Sequence, residues 1–173
     1  EAAGQRCSAL RVLCVQEDIA DRLIGMLKGA MAEINMGIPA QLAVDMGPVI
    51  DERARVTIES HVTRLQQRGC PVHRIARPQN LSTTPPVSGT YVLPTLIEID
   101  HMGQLEREVF GPVLHLLRYK RNDLPQLLHS IRDSGYALTL GVHSRIEETI
   151  AQVISDTPAG NVYVNRNMVG AVV

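Results

Sequence analysis

Short apolar runs alternate with segments of helical periodicity along this chain of 173 residues, and this alternation limits the folds open to it. Strands are predicted at 11–16, 71–76, 91–99, 112–119, 138–143 and 161–165, and helices at 19–36, 51–68, 123–133 and 145–155. A strand–helix–strand order favours parallel pairing, because each crossover helix packs back on the sheet. The sequence therefore predicts an α/β fold with an open, mainly parallel, three-layer sheet that carries helices on both faces.

Polar residues and glycines mark where the predicted helices begin and end. Asp18, Asp51 and Asp123 precede three of the helical segments, where a carboxylate accepts a hydrogen bond from a free backbone N–H. Gly37 and Gly69 follow two of them, where a helix commonly stops. These residues give the expected helix boundaries.

The chain shows no internal repeat and no linker, so we expect one domain over residues 1–173. Residues 77–88 are rich in Pro, Ser and Thr and predict a loop. The chain begins at Glu1 without a Met and stops in the apolar run 169–173. We therefore expect it to be a fragment of a longer chain.

The composition argues against several classes of function. The net charge is −1 and aromatic residues make up 3% of the chain, so neither a strong basic surface nor a base-stacking platform for nucleic acid is expected. No apolar run approaches the roughly 20 residues that cross a bilayer. Three cysteines are too few and too scattered for a disulfide framework, which favours a reducing, cytoplasmic location.

The three cysteines differ in their surroundings. Cys14 lies in an apolar run and is predicted to be a small core residue, and Cys70 lies in a Gly-Cys-Pro turn. Cys7 instead follows Gly4-Gln5-Arg6 just before a predicted strand, a context that suits an exposed nucleophile. The pattern alone leaves a catalytic and an inert Cys7 both open.

The histidines and the methionines of the first helix carry structural predictions only. No histidine pairs with another His or a Cys at metal-ligand spacing, so no metal site is predicted. Most are expected at the surface or in strands: His61, His73, His101, His115, His129 and His143. Met26, Met31 and Met36 recur along one helical face and are expected to fill the core.

Three motifs occur in the order in which they occur in aldehyde dehydrogenases. Gly4–Ala9 resembles the nucleophile motif of that family, with Cys7 as the nucleophile. Glu108–Val113 resembles its Glu-x-Phe-Gly-Pro motif, and Gly160–Asn165 its late strand. The resemblance covers essentially the whole chain and implies the catalytic domain of an NAD-dependent aldehyde dehydrogenase, with NADP left open as the cofactor.

The residue after the nucleophile narrows the resemblance. Ser8, together with Asn165–Val173, is similar to the L-glutamate γ-semialdehyde (1-pyrroline-5-carboxylate) dehydrogenase half of the bifunctional proline utilization enzymes. The resemblance implies that Ser8, Gly170 and Ala171 bind the α-carboxylate of the substrate. It also implies that Asn165 holds a loop of the site, and that FAD belongs to a proline dehydrogenase half outside this chain.

The resemblance further implies a role for each motif residue. The Cys7 thiolate attacks the aldehyde carbon to give a thiohemiacetal and then a thioester, which water hydrolyses. Glu108 binds the nicotinamide ribose, because a carboxylate accepts hydrogen bonds from both hydroxyls of a diol, and Phe110 packs beside the cofactor.

The remaining machinery is expected outside this chain. The Rossmann-like cofactor domain, the general-base Glu and the Asn that completes the oxyanion hole all precede the nucleophile in the family. We therefore expect the isolated chain to be inactive, and its partners to be a small aldehyde and the cofactor domain of the parent. The parent is expected to be a homo-oligomer, cytoplasmic or peripheral at the inner membrane face.

Three alternatives remain at this point. One is another aldehyde dehydrogenase, such as a succinate semialdehyde or fatty aldehyde enzyme, against which Ser8 and Gly170-Ala171 argue. Another is a noncatalytic interaction module that kept the fold, in which Cys7 would be no more reactive than Cys14. The third is a cysteine hydrolase, which would need a His within hydrogen-bond reach of Cys7.

Overall fold

Strands and helices alternate in the computed structural model of the chain, which describes residues 2–74, 89–136 and 138–168. The strands are β1 Val12–Gln16, β2 Val72–Arg74, β3 Thr95–Ile99, β4 Val113–Tyr119, β5 Thr139–Val142 and β6 Asn161–Val164. The α-helices are α1 Glu17–Ala32, α2 Glu52–Gln67, α3 Leu124–Asp133 and α4 Glu147–Asp156. The predicted loop 77–88 and residues 75–76 of the second predicted strand lie outside the described residues.

The strands form a four-stranded sheet and a separate parallel pair. The sheet has the order β1-β4-β3-β2, in which β1 and β3 both run parallel to β4 and only the edge strand β2 is antiparallel. Strands β5 and β6 pair in parallel, from Thr139 opposite Asn161 to Val142 opposite Val164. The prediction of a mainly parallel α/β fold is confirmed.

Both faces of the four-stranded sheet are covered, because its central strands are apolar on both sides. Leu96 and Leu116 are fully buried on one face, where they pack with Ala20 and Ile24 of α1. On the other face the neighbouring residues Ile97, Val113 and Leu117 pack with Ile58, Val62 and Leu65 of α2. Alternation along each central strand therefore places one helix layer on each side of the sheet, as predicted.

The first helix differs from its prediction at both ends. Gln16 occupies the N-cap position, and Asp18 lies in the first turn, where Oδ2 accepts a hydrogen bond of 2.8 Å from Nε2 of Gln16. Strand β1 ends at Gln16 and the helix begins at Glu17, so Asp18 is already inside the helix and cannot be its N-cap. The helix stops at Ala32 rather than before Gly37.

The prediction that Met26 fills the core is wrong. Met26 is 63% exposed and Ile19, seven residues earlier on the same side of α1, is 58% exposed. The sheet buries the face that carries Ala20 and Ile24, so the apolar residues of α1 extend beyond the stripe that the sheet covers.

The other two predicted caps hold their positions. Asp51 is the N-cap of α2, and its side chain accepts a hydrogen bond of 2.7 Å from the Ala54 N–H. Asp123 is the N-cap residue of α3, although its side chain makes no cap hydrogen bond.

Candidate active site

Cys7 lies exposed in a turn between a short 3-10 segment, Ala2–Gly4, and strand β1. We call residues 2–9 the Cys7 loop. Its backbone is closed by hydrogen bonds from the Gln5 N–H to Ala2 O and from the Ala9 N–H to Arg6 O. Ala2 and Ala3 adopt left-handed backbone angles, with φ of 48° and 47°. Two residues in an unfavourable backbone region therefore begin the Cys7 loop.

Gly4 brings the Cys7 loop against the second motif. Its φ is +70°, and a Cβ at this position would lie 2.8 Å from the carbonyl carbon of Gly111 and closer still to the carbonyl oxygen. Only glycine accommodates both the backbone angle and the approach. The Gly-Gln-x-Cys and Glu-x-Phe-Gly-Pro segments, about a hundred residues apart in sequence, are therefore in backbone contact.

Gln5 joins the Cys7 loop to the start of α2. Its side-chain Nε2 donates to Ala2 O at 3.0 Å, and its Oε1 accepts from the Ile50 N–H at 2.9 Å. Because Ile50 immediately precedes the N-cap of α2, the amide fixes the loop to a rigid element.

Glu108 and Phe110 lie on the segment that leads into β4. The Glu108 N–H donates to the Tyr136 hydroxyl at 3.0 Å, and the Glu108 side chain is about 29% exposed. Val109 between them is buried and Phe110 is 43% exposed. The alternation presents the carboxylate and the aromatic ring on the open side of the segment, while Val109 anchors it.

Arg11 links the two segments, a contact that none of the sequence motifs predicts. Its Nε donates to Oε1 of Glu108 at 3.1 Å, its Nη1 to Gly4 O at 2.6 Å and its Nη2 to Arg6 O at 2.7 Å. The guanidinium also lies 4.6 Å from the centre of the Phe110 ring. A single arginine beside an apolar run is typical of a solvated strand end, so only the fold identifies it as part of the site.

A buried histidine pair contacts the backbone of Arg11. His61, which is buried on α2, is an exception to the expectation that most histidines lie at the surface or in strands. His61 on α2 and His115 on β4 approach at 2.8 Å through their Nε2 atoms. His115 Nδ1 lies 2.9 Å from Arg11 O, and Arg64 Nη2 lies 3.1 Å from His61 Nδ1. Since a carbonyl accepts and a guanidinium donates, His115 carries its proton on Nδ1 and His61 on Nε2.

Burial keeps both histidines neutral. It lowers the pKa of His61 to about 4, with the neighbouring charges of His115, Arg64 and Arg107 acting in the same direction and Glu106 opposing them. Burial also lowers the pKa of His115, against the hydrogen bond to the Arg11 carbonyl. A neutral pair satisfies every hydrogen bond in this chain of groups, whereas two imidazolium ions would repel each other.

Next to the Cys7 loop lies a cavity of about 390 Å³. Cys7, Ser8 and Glu108 line it together with Met168 and residues of β1, α3 and β5. Ser8 is half-buried and lines the same cavity as Cys7. Gly170 and Ala171, the other two predicted substrate contacts, lie outside the described residues.

The other two cysteines are poor nucleophiles. Cys14 is half-buried against the core, and burial raises its pKa to about 12. Cys70 is buried, and burial followed by the nearby charge of Asp100 raises its pKa.

Asn165 makes two hydrogen bonds with the backbone of Ser144. Its side-chain oxygen accepts from the Ser144 N–H and its side-chain nitrogen donates to the Ser144 carbonyl oxygen, each at 2.9 Å. The φ of Asn165 is +53°.

Comparison with known proteins completes the description of the site. A model of the aldehyde dehydrogenase family matches residues 1–173. The chain belongs to the aldehyde dehydrogenase family. The family predicted from the three motifs is therefore confirmed.

Individual members of the family are similar to it over the whole chain. The bifunctional protein PutA of Escherichia coli K12 is 57% identical over 173 residues, which are 100% of this chain and 13% of the relative. A 1-pyrroline-5-carboxylate dehydrogenase of Geobacillus kaustophilus is 29% identical over 99% of the chain and 32% of its own length. A crystal structure of a proline utilization A (PutA) mutant from Bradyrhizobium japonicum superposes with a TM-score of 0.89 at 46% identity, covering 100% of this chain and 17% of that one.

Within residues 2–74, 89–136 and 138–168, no group of three or more His, Cys, Asp or Glu could hold a metal ion. None of the helices in that same part of the chain is long and apolar enough to cross a membrane.

Proposed function

We propose that this chain is the nucleophile-bearing domain of a longer aldehyde dehydrogenase that oxidises L-glutamate γ-semialdehyde to L-glutamate in proline catabolism. The observation that carries the proposal is the exposed Cys7, held against the Glu108–Phe110 segment through Gly4, Gly111 and Arg11. The similarity to PutA proteins and to 1-pyrroline-5-carboxylate dehydrogenases supports this choice of substrate.

Cys7 performs the covalent step. Its thiolate sulfur bonds to the aldehyde carbon, and the carbonyl electron pair moves to the oxygen to give a thiohemiacetal. The oxygen electron pair then re-forms the carbonyl as the carbon loses its hydrogen as hydride, which a bound nicotinamide would accept, and a thioester remains on Cys7. Water cleaves that thioester, releasing the carboxylic acid and the free thiol. The exposed position of Cys7 leaves room for the substrate carbon.

Glu108 and Phe110 fit a nicotinamide dinucleotide. NAD supplies the hydride acceptor when it is bound, and NADP supports the same chemistry. The half-buried Glu108 carboxylate accepts from the ribose hydroxyls, and the partly exposed Phe110 ring packs against an apolar part of the cofactor. Both lie on the segment that contacts the Cys7 loop, so a cofactor held by them is brought beside the nucleophile.

Ser8 is the residue that we assign to substrate choice. It follows Cys7 and lines the same cavity, where its hydroxyl can donate to the α-carboxylate of glutamate semialdehyde. We assign Gly170 and Ala171 to the same carboxylate, because residues without bulky side chains leave their backbone N–H groups open to it.

The rest of the machinery is assigned to the parent chain. The general base, the second oxyanion donor and the cofactor domain lie beyond this chain, which spans 13% of the length of its PutA relatives. A proline dehydrogenase half that binds FAD, and assembly into a homo-oligomer, are proposed for the parent alone.

Kinetics of the full-length gene product test the proposal. Cys7→Ala is expected to lower kcat for glutamate semialdehyde with NAD by at least about a thousandfold, because no nucleophile remains. The matched control is Cys70→Ala, a buried cysteine away from the site, for which kcat should change less than twofold. Full turnover by Cys7→Ala would rule out the covalent mechanism.

Substrate choice is tested separately from the mechanism. Glutamate semialdehyde should be oxidised with a kcat/KM at least about tenfold above that of succinate semialdehyde, which keeps a carboxylate but is one carbon shorter and lacks the α-amino group. A preference for succinate semialdehyde or for a fatty aldehyde would keep the family chemistry and overturn the choice of glutamate semialdehyde as the substrate.

A further inference from the structure

We propose that Arg11 is the positioning residue that holds the nucleophile loop and the cofactor-binding segment in one fixed arrangement. The inference rests on the proposed function, because it takes Cys7 as the nucleophile and Glu108 as a cofactor ligand. It adds a residue that touches neither the substrate carbon nor the ribose, yet governs the geometry between them.

The contacts of Arg11 extend to both sides of the site. Two guanidinium nitrogens donate to the carbonyl oxygens of Gly4 and Arg6, at 2.6 and 2.7 Å, which lie on either side of Gln5 just before Cys7. The third nitrogen donates to Oε1 of Glu108 at 3.1 Å, and the guanidinium packs on Phe110. One planar side chain thus joins the Cys7 loop to both cofactor-facing residues.

The position of Arg11 itself is fixed. Its carbonyl oxygen accepts from the His115 backbone N–H at 3.0 Å and from His115 Nδ1 at 2.9 Å. His115 is in turn held by His61 of α2. The side chain of Arg11 is only 15% exposed, so its ion pair with Glu108 is shielded from water and stronger than one at the surface.

This arrangement suits arginine and excludes lysine. Three acceptors in different directions require a planar group with several donors in a fixed fork, whereas an ammonium is a compact point charge. Arg11 engages Oε1 of Glu108, which leaves Oε2 to accept from a ribose hydroxyl. Without Arg11 the carboxylate would turn freely, and binding the cofactor would have to order it at a cost in affinity.

The experiment uses the full-length gene product with Arg11→Met, Arg11→Lys, Glu108→Gln and the double variant Arg11→Met/Glu108→Gln. Both Arg11 variants are expected to raise KM for NAD at least tenfold and to leave KM for the aldehyde within twofold. The double variant should be no worse than the poorer single variant, because Arg11 acts through Glu108. Arg74→Met, which removes the ion pair with Glu59 at β2, is the matched control and should leave KM for NAD unchanged.

The outcomes distinguish a failure of the proposed function from a failure of the positioning role of Arg11. If the wild-type protein oxidises no aldehyde with NAD, the proposed function fails. If the wild type is active and both Arg11 variants bind NAD normally, or if the losses of Arg11→Met and Glu108→Gln add fully, the positioning role is overturned. Where Arg11→Met fails to fold, Arg11→Lys decides, since it keeps the charge and removes the planar fork. The melting temperature of each variant shows whether stability is lost. Direct NAD titration of each variant, combined with Cys7→Ala so that no turnover occurs, shows whether positioning is lost.

Discussion

At the scale of single residues, the site depends on how the surroundings differ between residues of the same type. Three cysteines in one chain are distinguished by exposure, since Cys7 is exposed, Cys14 is half-buried and Cys70 is buried. Arg11 differs from the surface arginines because three acceptors converge on it. The sequence context singled out Cys7 as the candidate nucleophile, which stays a prediction, and gave no signal for Arg11, whose carboxylate partner lies 97 residues away.

We expect Cys7 to be the most reactive thiol of the folded protein. Limiting iodoacetamide at pH 8, with peptide mass spectrometry, should label Cys7 at least tenfold faster than Cys14 or Cys70, because burial raises the pKa of both of these thiols. In denaturant all three should react alike. Equal labelling in the folded state would remove the basis for treating Cys7 as the nucleophile.

Replacing Gly4 should damage the site much more than replacing a glycine on an open helix surface. Gly4→Ala would place a Cβ against Gly111 at a left-handed backbone angle, which we expect to cost about 1–3 kcal/mol in the free energy of unfolding. Gly29→Ala in α1, where nothing lies within 4 Å of the added carbon, should be neutral or stabilising by up to about 1 kcal/mol. Urea unfolding of both variants measures the difference, and a stable Gly4→Ala would disprove the close approach.

At the scale of elements, the sequence pattern located most strands and the second and third helices to within one residue, but it misplaced both ends of α1. Strands β1, β4 and β6 match their predicted ranges to within one residue at each end, because a buried parallel strand is a short, continuous apolar segment. The start of α1 was misplaced because the chain passes from β1 into the helix without a loop. Likewise, His61 was not recognised as buried, since its partner His115 is contributed by another element.

The histidine pair between α2 and β4 should make stability depend on pH. The pKa of His61 is lowered to about 4 in the folded state, while the unfolded value is about 6.5, so the unfolded chain binds more protons between these limits. Stability is therefore full above about pH 6.5 and is lost as the pH falls toward 4, by at most about 3 kcal/mol for this residue. The lowered pKa of His115 acts in the same direction.

Urea unfolding at pH 7 and pH 4.5 tests this dependence. His61→Gln should reduce the loss of stability between the two pH values, whereas His143→Gln, at an exposed histidine, should leave it unchanged. Carboxylates with lowered pKa values also reduce the stability of the protein when acid protonates them. Against burial, His73 and then Arg118 lower the pKa of Glu98, and Arg68 and Arg64 lower that of Glu106. These carboxylates contribute equally to both variants. An unchanged pH dependence in His61→Gln would show that protonation of His61 does not destabilise the folded protein.

At the scale of the whole molecule, the described residues carry only part of the site that we propose. The family and the α/β architecture followed from the order of motifs and of apolar runs. The general base could not be assigned because no residue of this chain matches its position, and Gly170 and Ala171 lie outside the described residues. A site assembled from several parts of a longer protein is only partly encoded in any one of them.

The isolated chain should therefore be unable to complete a catalytic cycle. We expect no measurable oxidation of glutamate semialdehyde with NAD by residues 1–173 alone, while the full-length gene product is active under the same conditions. Absorbance of NADH at 340 nm measures both, and circular dichroism confirms that the isolated chain is folded. Turnover by the isolated chain would show that it contains its own general base.

The contact between Gly4 and Gly111 has a consequence for thermal motion. The two backbones already touch, so neither segment can move toward the other, and the Arg11 guanidinium opposes their separation. The two segments are therefore constrained to move together. In the proposed site, the distance from the Cys7 sulfur to a cofactor bound on Glu108 would then fluctuate less than either group does relative to the rest of the protein.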